Sequence, residues 1–396
     1  MTKLIPLSLE LAQLEKNYLF SLVSAKKAQY KNENTLDLGV GDVSKPLNKV
    51  VAQAIIDATT EMSEKVFGYG PECGYPFLKQ AIIQSSPAYS QFSEDEIFVN
   101  DGIISDMARF PLQFAPDITL AIQDPCFPPY FENLKFLGRF KTNTVLIPCL
   151  EENNFIPNLP EERVDLIYLC SPHNPTGSAL TREQLSKWVN YAKSNGSIIL
   201  FDSAYQAFVT DDDVPSSIYE IEGAELVAIE FCSFSKSAGF TGLRCGYFVC
   251  PKGIEIDANG KRHKFLPYVE HSKSISTNGV AYPIQKGAEA ALTKKAQDEI
   301  RQDIESYMRS AKQLKLGLQA AGFTVFGGIN CPYIWFKVPT EQTSVQFFET
   351  LLKEYDIVSV PGSGFGQFGE GYVRLSGFID EQKAKLALQR LRAVCK

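Results

Sequence analysis

Residues 166–205 read LIYLCSPHNPTGSALTREQLSKWVNYAKSNGSIILFDSAY, and the fold turns on this stretch. It is bounded by two short apolar runs, LIYLC (166–170) and SIILF (197–201). Their β-branched and aromatic content suits strands covered on both faces. Between them, TREQLSKWVNYAKSNG (181–196) predicts a helix. Thr181 and Gln184 form a capping box, Leu185, Trp188, Val189 and Ala192 follow i, i+3, i+4, i+7 spacing, and Gly196 ends it. Strand, helix and strand in this order argue for an α/β unit with parallel strands.

Outward from this unit the pattern repeats. EIFV (96–99), ITLAI (118–122), TVLI (144–147), ELVAIEFC (225–232) and GYFVC (246–250) are further predicted strands, separated by helix-length stretches. The character changes after about residue 290. KKAQDEIRQDIESYMRSAKQLKLGLQAAG (294–322) predicts one long amphipathic helix ended by Gly322. The β-rich runs FTVF (323–326), YIWFKV (333–338), IVSVP (357–361) and YVRLSGF (372–378) and a final helix over 381–395 follow. The reading is an α/β large domain over 46–290 with a mostly parallel sheet. A smaller α+β domain over 291–396 is completed by an N-terminal arm over 1–45.

Composition narrows the chemistry. The 396 residues hold 39 basic and 46 acidic side chains, a formal net charge of −7, which argues against a nucleic-acid partner. His173, His263 and His271 are the only histidines, so neither a metal site nor a histidine-based triad is expected. Nine cysteines show no zinc or redox spacing and read as buried thiols in a reducing cytosol. The N-terminal MTKLIPLSLELAQLEKNYLF mixes Glu and Lys into its apolar residues, unlike a signal peptide. No apolar run approaches the ~18 residues that span a bilayer. A cytoplasmic protein without a membrane partner is expected.

In an open parallel sheet, ligands gather outside the carboxyl ends of the strands. After FVN comes Asp101-Gly102, with a helix predicted to open at Ile103 and offer free N–H groups to an anion. After LIYLC, SPHNPTG holds Asn174 in a Pro- and Gly-rich turn. After SIILF comes Asp202, with Tyr205 three residues on. After ELVAIEFC, SFSKSAGFTGLRCGY (233–247) supplies Ser233, Ser235, Lys236 and Arg244. Singly these are a helix start, a turn, a helix cap and a polar loop. Together they meet the needs of pyridoxal 5'-phosphate. That cofactor requires a lysine for its Schiff base, a carboxylate against its pyridine nitrogen, a phenol on its ring oxygen and a cup of donors for its phosphate. The lysine, displaced by a substrate amine, is then the natural base at Cα.

CSPHNPTG, FDSAY and SFSKSAGFTGLRCGY resemble the class I/II aminotransferases of the fold-type-I pyridoxal-phosphate enzymes. The resemblance runs from LGVGD near residue 38 to YVRLSG near residue 372. It implies a seven-stranded large domain, a small domain built from both termini, and a homodimer with active sites at the interface. It also implies roles: Lys236 forms the Schiff base, Asp202 pairs the pyridine nitrogen, and Tyr205 and Asn174 bond the ring oxygen. Phe127 stacks on the ring. Ser233, Ser235, Arg244 and the Gly102–Ile103 backbone hold the phosphate, with Tyr69 reaching in from the other subunit. Arg374 clamps the substrate α-carboxylate.

Within that group the chain is most similar to the LL-diaminopimelate aminotransferase family. NYLF (17–20), LGVGD (38–42), FGYGPECG (67–74), QDP (123–125), FSKSAGFTG (234–242) and TNG (277–279) carry this likeness. It implies that Tyr18, Gly41, Glu72 and Asn278 face the substrate, the last two from the partner subunit, with Glu72 reading a distal ammonium. Four positions depart from the family: Ile104 stands for lysine, Phe127 for tyrosine, Cys73 for glutamine and His173 for asparagine. Ile104 removes a cation from a site whose substrate carries a second carboxylate. A donor lacking that carboxylate, basic, neutral or aromatic, is therefore an alternative expectation, and a lyase or decarboxylase on the same fold is another. A non-catalytic sensor would need an attached nucleic-acid-binding domain, for which there is no room before residue 38. The expected reaction moves an amino group from an amino acid to a 2-oxo acid, 2-oxoglutarate being the expected acceptor.

Gly364, Gly366 and Gly369 match G-x-G-x-x-G. A dinucleotide fingerprint must open a helix, whereas here a β-like run follows, so the glycines read as a loop near Arg374.

Overall fold

The computed structural model describes residues 5, 7, 9–13, 19–140, 144–339 and 341–394. Its centre is a seven-stranded sheet built from β1 (Ile97–Asn100), β2 (Leu120–Asp124), β3 (Thr144–Pro148), β4 (Leu166–Cys170), β5 (Ile198–Asp202), β6 (Ala228–Ser233) and β7 (Gly246–Val249). The spatial order is β1-β7-β6-β5-β4-β2-β3. Only β7 runs against its neighbours, pairing antiparallel with both β1 and β6. Six strands therefore end on the same edge, and the reversed β7 begins there. The register lines up their ends: Cys170 lies opposite Asp202, and Gly246 lies opposite both Ser233 and Asn100.

Alternate side chains of these strands feed two cores. Ile167, Leu169, Ile199 and Phe201 enter one, and Leu166, Tyr168, Ile198 and Leu200 the other. The helix Arg182–Asn195 lays Leu185, Trp188, Val189 and Ala192 onto the first face, as its spacing predicts. Its capping box of Thr181 and Gln184 is formed, and Gly196 takes φ +66 to end it. Burial of each large apolar side chain contributes about 1.5–3 kcal/mol. The stripe thus outweighs the cap, which contributes about 1 kcal/mol.

A four-stranded antiparallel sheet follows, formed by Val325–Gly327, Tyr333–Lys337, Tyr372–Ser376 and Val360–Pro361 in that spatial order. Leu36–Asp37 of the N-terminal segment pairs in parallel with Ile357–Val358. The helix Lys294–Ala320 joins the two parts. Its Ala296 and Ile300 pack in the large sheet's core, while Ala311, Leu314 and Leu318 pack with Ile334, Phe336 and Leu375.

Two sequence runs are broken within their predicted length. ELVAIEFC becomes strand only at Ala228, because Ala224–Leu226 winds into a tight turn after Gly223, whose φ is +84. IVSVP divides at Ser359, and its two halves join different sheets. The glycine loop 362–369 forms two short 3-10 turns and is followed by a strand, not a helix. Among the described residues, no helix is long and apolar enough to cross a membrane.

Candidate active site

A cavity of about 520 Å³ opens at the carboxyl edge of the large sheet, where the segment 37–42 and the strands carrying Tyr333 and Arg374 close over it. Lys236 stands in it on one helical turn, Phe234–Ser237, that follows β6. Its Nζ donates to the Gly41 carbonyl. Burial pulls the amine down to about 8, with Asp42 opposing the shift and Arg374 and Arg244 adding to it.

Asp202, the last residue of β5, is buried beneath the cavity. Burial pushes its carboxyl up, while the hydroxyl of Tyr130 and the Ala204 N–H, 2.9 Å from Oδ1, donate to it and hold it down. Tyr205 follows at the same strand end, its hydroxyl 2.7 Å from that of Tyr333. Burial drives both phenols upward, that of Tyr333 to about 12, so both stay protonated near neutral pH.

Arg374 is 1% exposed, so its guanidinium is held inside the fold. Nη1 donates to Asn174 Oδ1 at 2.6 Å and Nη2 to the Gly39 carbonyl at 2.8 Å. The guanidinium lies 4.3 Å over the Tyr333 ring and 5.0 Å over Phe365. Its Nε is buried without a partner among the described residues. The fork is thus preset, with hydrogen-bonding capacity to spare.

Another group in the cavity lining collects donors. Gly102 has φ +107 and caps the helix Ile103–Arg109; a Cβ there would fall 2.1 Å from Arg244 Nη2. Only glycine lets the guanidinium approach the chain so closely. Arg244 Nη1 donates to Ser235 Oγ at 3.3 Å and to the Thr241 carbonyl at 3.0 Å. Ser233 Oγ accepts from the Ser235 N–H at 3.1 Å. The reversed direction of β7 explains why Arg244, which precedes it, reaches this edge.

Phe127 lines the cavity and meets Tyr130 edge to face at 5.7 Å. Ile103, Ile104, Met107, Val40 and Val360 make the wall largely apolar. Gly41 is forced by a close approach, since a Cβ there would sit 2.2 Å from the Tyr333 hydroxyl.

The structure therefore gathers Gly41, Ile103, Phe127, Asn174, Asp202, Tyr205, Ser233, Ser235, Lys236, Arg244 and Arg374 around one cavity, with Gly102 against Arg244. It does not bring Tyr69, Glu72 or Asn278 to the cavity of their own chain; all three are exposed. Glu72 and Asn278 do adjoin each other, for a Cβ on Gly279 would meet the Pro71 carbonyl at 2.7 Å. Tyr18 lies outside the described residues. His173 faces inward, its Nδ1 2.7 Å from Thr176 Oγ1, and burial pulls it down to about 3, so the ring is neutral. The basic stretch 261–264 is an exposed hairpin strand paired with 255–258 and does not line the cavity.

Sequence reasoning missed Tyr130, Tyr333, Asp42, Lys27 and Asp37. Tyr130 was within reach of the strand-end rule, because it follows β2. Tyr333 carried no local signal, its hydroxyl being placed only by the packing of a distant strand.

Residues 33–391 match the family model described as aminotransferase class I and II. The chain belongs to the class I and II aminotransferases. This aminotransferase is 43% identical over 396 residues to an LL-diaminopimelate aminotransferase of Parabacteroides distasonis, covering 96% of this chain and 97% of that one. It is 41% identical over 395 residues to one from Methanosphaera stadtmanae, covering 96% of each. Among solved structures, the L,L-diaminopimelate aminotransferase from Chlamydomonas reinhardtii superposes with a TM-score of 0.92 at 35% identity over 100% of both chains. The family uses pyridoxal phosphate to exchange amino groups between amino acids and 2-oxo acids, and the aminotransferase is a transaminase of this kind.

Proposed function

We propose that this aminotransferase is a cytoplasmic homodimer that uses LL-diaminopimelate as its amino donor and 2-oxoglutarate as its acceptor. One observation carries the reading of the site: Lys236, Arg374 and Asp202 converge on one cavity, with a cluster of donors in the same lining. The identity of the donor is supported by the names of the full-length relatives.

The residues present fit pyridoxal phosphate. Ser233, Ser235, Arg244 and the Gly102–Ile103 backbone suit a phosphate dianion. The buried Asp202, kept from swinging by Tyr130 and Ala204, suits a protonated ring nitrogen. Phe127 suits the ring face, and Tyr205 and Asn174 its oxygen. When bound, the cofactor supplies an electron-withdrawing ring that stabilises negative charge at the substrate Cα.

The chain's own residues do the rest. Arg374 binds the α-carboxylate and so fixes which face of Cα meets Lys236. The Lys236 amine, lowered to about 8, is neutral in a useful fraction near neutral pH; it removes the Cα proton and returns it elsewhere. The apolar wall of Ile103, Ile104 and Met107 limits water around that proton. Tyr69, Glu72 and Asn278 are assigned to the partner's cavity and Tyr18 to the substrate. The chain divides into an arm over 1–45, a large domain over 46–290 and a small domain over 291–396.

Ile104 favours a second reading, a donor without a distal carboxylate. Initial rates on LL-diaminopimelate, lysine, glutamate and aromatic donors separate the two. A preference for LL-diaminopimelate is expected, and preference for any other donor overturns the assignment. Lys236→Ala is expected to abolish turnover and the absorbance band that depends on covalent attachment of the cofactor to the lysine. Release of carbon dioxide in place of ping-pong exchange would indicate a lyase.

A further inference from the structure

We propose that the ion pair Lys27–Asp37 receives the far end of the amino donor and selects donors that carry a carboxylate there. The inference rests on the reading that the donor is a diamino dicarboxylic acid, and it names the residues that take its second head group.

The pair belongs to the same cavity as Lys236 and Arg374. The helix Leu19–Tyr30 presents Val23, Ser24 and Lys27 to it, spaced one and four residues apart, and Leu36–Asp37 runs alongside. Lys27 Nζ donates to Asp37 Oδ2. Asp37 Oδ1 in turn accepts from the N–H groups of Gly39 at 3.1 Å and Val40 at 3.3 Å. An ammonium has three donors, and Asp37 is its one side-chain partner among the described residues. A carboxylate can therefore bind Lys27 without displacing Asp37.

Charge placement points the same way. Arg374 is committed to the carboxylate next to the reacting carbon, so a second carboxylate must find its cation elsewhere in the cavity. Lys236 and Arg244 are taken by the chemistry and by the phosphate cup. At position 104 the wall is isoleucine. Among the described residues of this chain, Lys27 is the remaining cation that lines the cavity. The two partners keep only 29% and 25% of their side-chain surface exposed, so solvent and salt screen them less than a surface pair. A distal head bearing both an ammonium and a carboxylate sets its carboxylate on Lys27, while Asp37 holds Lys27 in place and the ammonium is left to Glu72 of the partner subunit.

The pair also anchors the segment 39–41, whose carbonyls accept from Arg374 and Lys236. A purely structural role would thus alter the reacting end for every donor alike, and this difference makes the proposal testable. Lysine is diaminopimelate without its distal carboxylate. With the holoenzyme, Lys27→Met is expected to raise KM for LL-diaminopimelate about tenfold more than KM for lysine, the scale of one charge-assisted hydrogen bond. Lys27→Arg is expected to restore most of the difference. Equal changes on both donors, or a fall in kcat without a change in relative KM, would overturn the proposal while leaving the donor assignment intact. Wild-type enzyme that fails to transaminate LL-diaminopimelate would overturn both. A second measurement needs no variant: pimelate is expected to inhibit the wild type about tenfold more tightly than heptanoate, and equal inhibition counts against the site.

Discussion

Lys236 shares its cavity with two guanidinium groups and, on the loop above, the carboxylate of Asp42; burial and these charges together set its titration. Its folded value of about 8 lies below the ordinary 10.5. Between these values the unfolded chain holds more protons, so stability from this residue rises with pH through that window and is lowest below about 8. Asp42 raises the amine, so Asp42→Asn is expected to move its titration lower. The rate at which apoenzyme captures added pyridoxal phosphate, measured against pH, reads this midpoint. An unmoved or raised midpoint would contradict the assignment. Lys236, Asp202 and Arg244 were legible in the sequence because each stands at a short, fixed offset from a strand end. Arg374 was not legible locally. Its burial is set by Asn174 and Gly39, which lie 200 and 335 positions away in the chain.

At the scale of elements, the end of β2 holds the glycine loop that closes beside Arg374. The Asp124 carboxylate accepts from the Gln367 and Phe368 N–H groups, both at 3.2 Å. Burial nonetheless holds the carboxyl at about 6, above its ordinary 3.8. Gly366 completes the contact, with φ +134 and an imagined Cβ 2.0 Å from Asp124 Oδ1. Gly366→Ala is expected to destabilise the fold by about 1–3 kcal/mol, through backbone strain and loss of the loop's anchor. Gly371→Ala is the control, since its φ of +83 carries strain but no atom lies within 4 Å of its Cβ position. Equal urea midpoints for the two variants would refute the anchoring role. The same scale shows where pattern reading fails. The apolar-run pattern located every strand of the large sheet, because most of those strands are buried on both faces. It ran IVSVP together, because nothing local marks Ser359 as the point where the chain leaves one sheet for another.

For the whole molecule, the acidic surface charge hides an apolar face. Val66, Tyr69 and Ile275 are 101%, 90% and 74% exposed. Their segments adjoin, for Phe67 packs against Tyr282 at 4.8 Å and Pro71 lies beside Gly279. We place the contact of the proposed homodimer on these adjoining segments. If the chain pairs as proposed, Ile275→Glu is expected to yield a monomer by light scattering, with activity reduced by the loss of Tyr69, Glu72 and Asn278 from the proposed partner site. A fully active dimer would disprove the arrangement. The sequence alone placed these three residues only through resemblance, since an interface leaves no periodic trace within one chain.

The long helix Lys294–Ala320, seated in both cores, has a thermodynamic consequence. Neither part can come apart without stripping partners from the other, so the two are expected to melt in one cooperative transition. The chain provides its own reporters of this. It has two tryptophans, Trp188 against the large sheet and Trp335 in the small one. Fluorescence of the single-tryptophan variants Trp188→Phe and Trp335→Phe, each compared with its own circular-dichroism melt, should trace the same curve. Two separated fluorescence midpoints would mean that the shared helix does not couple the halves.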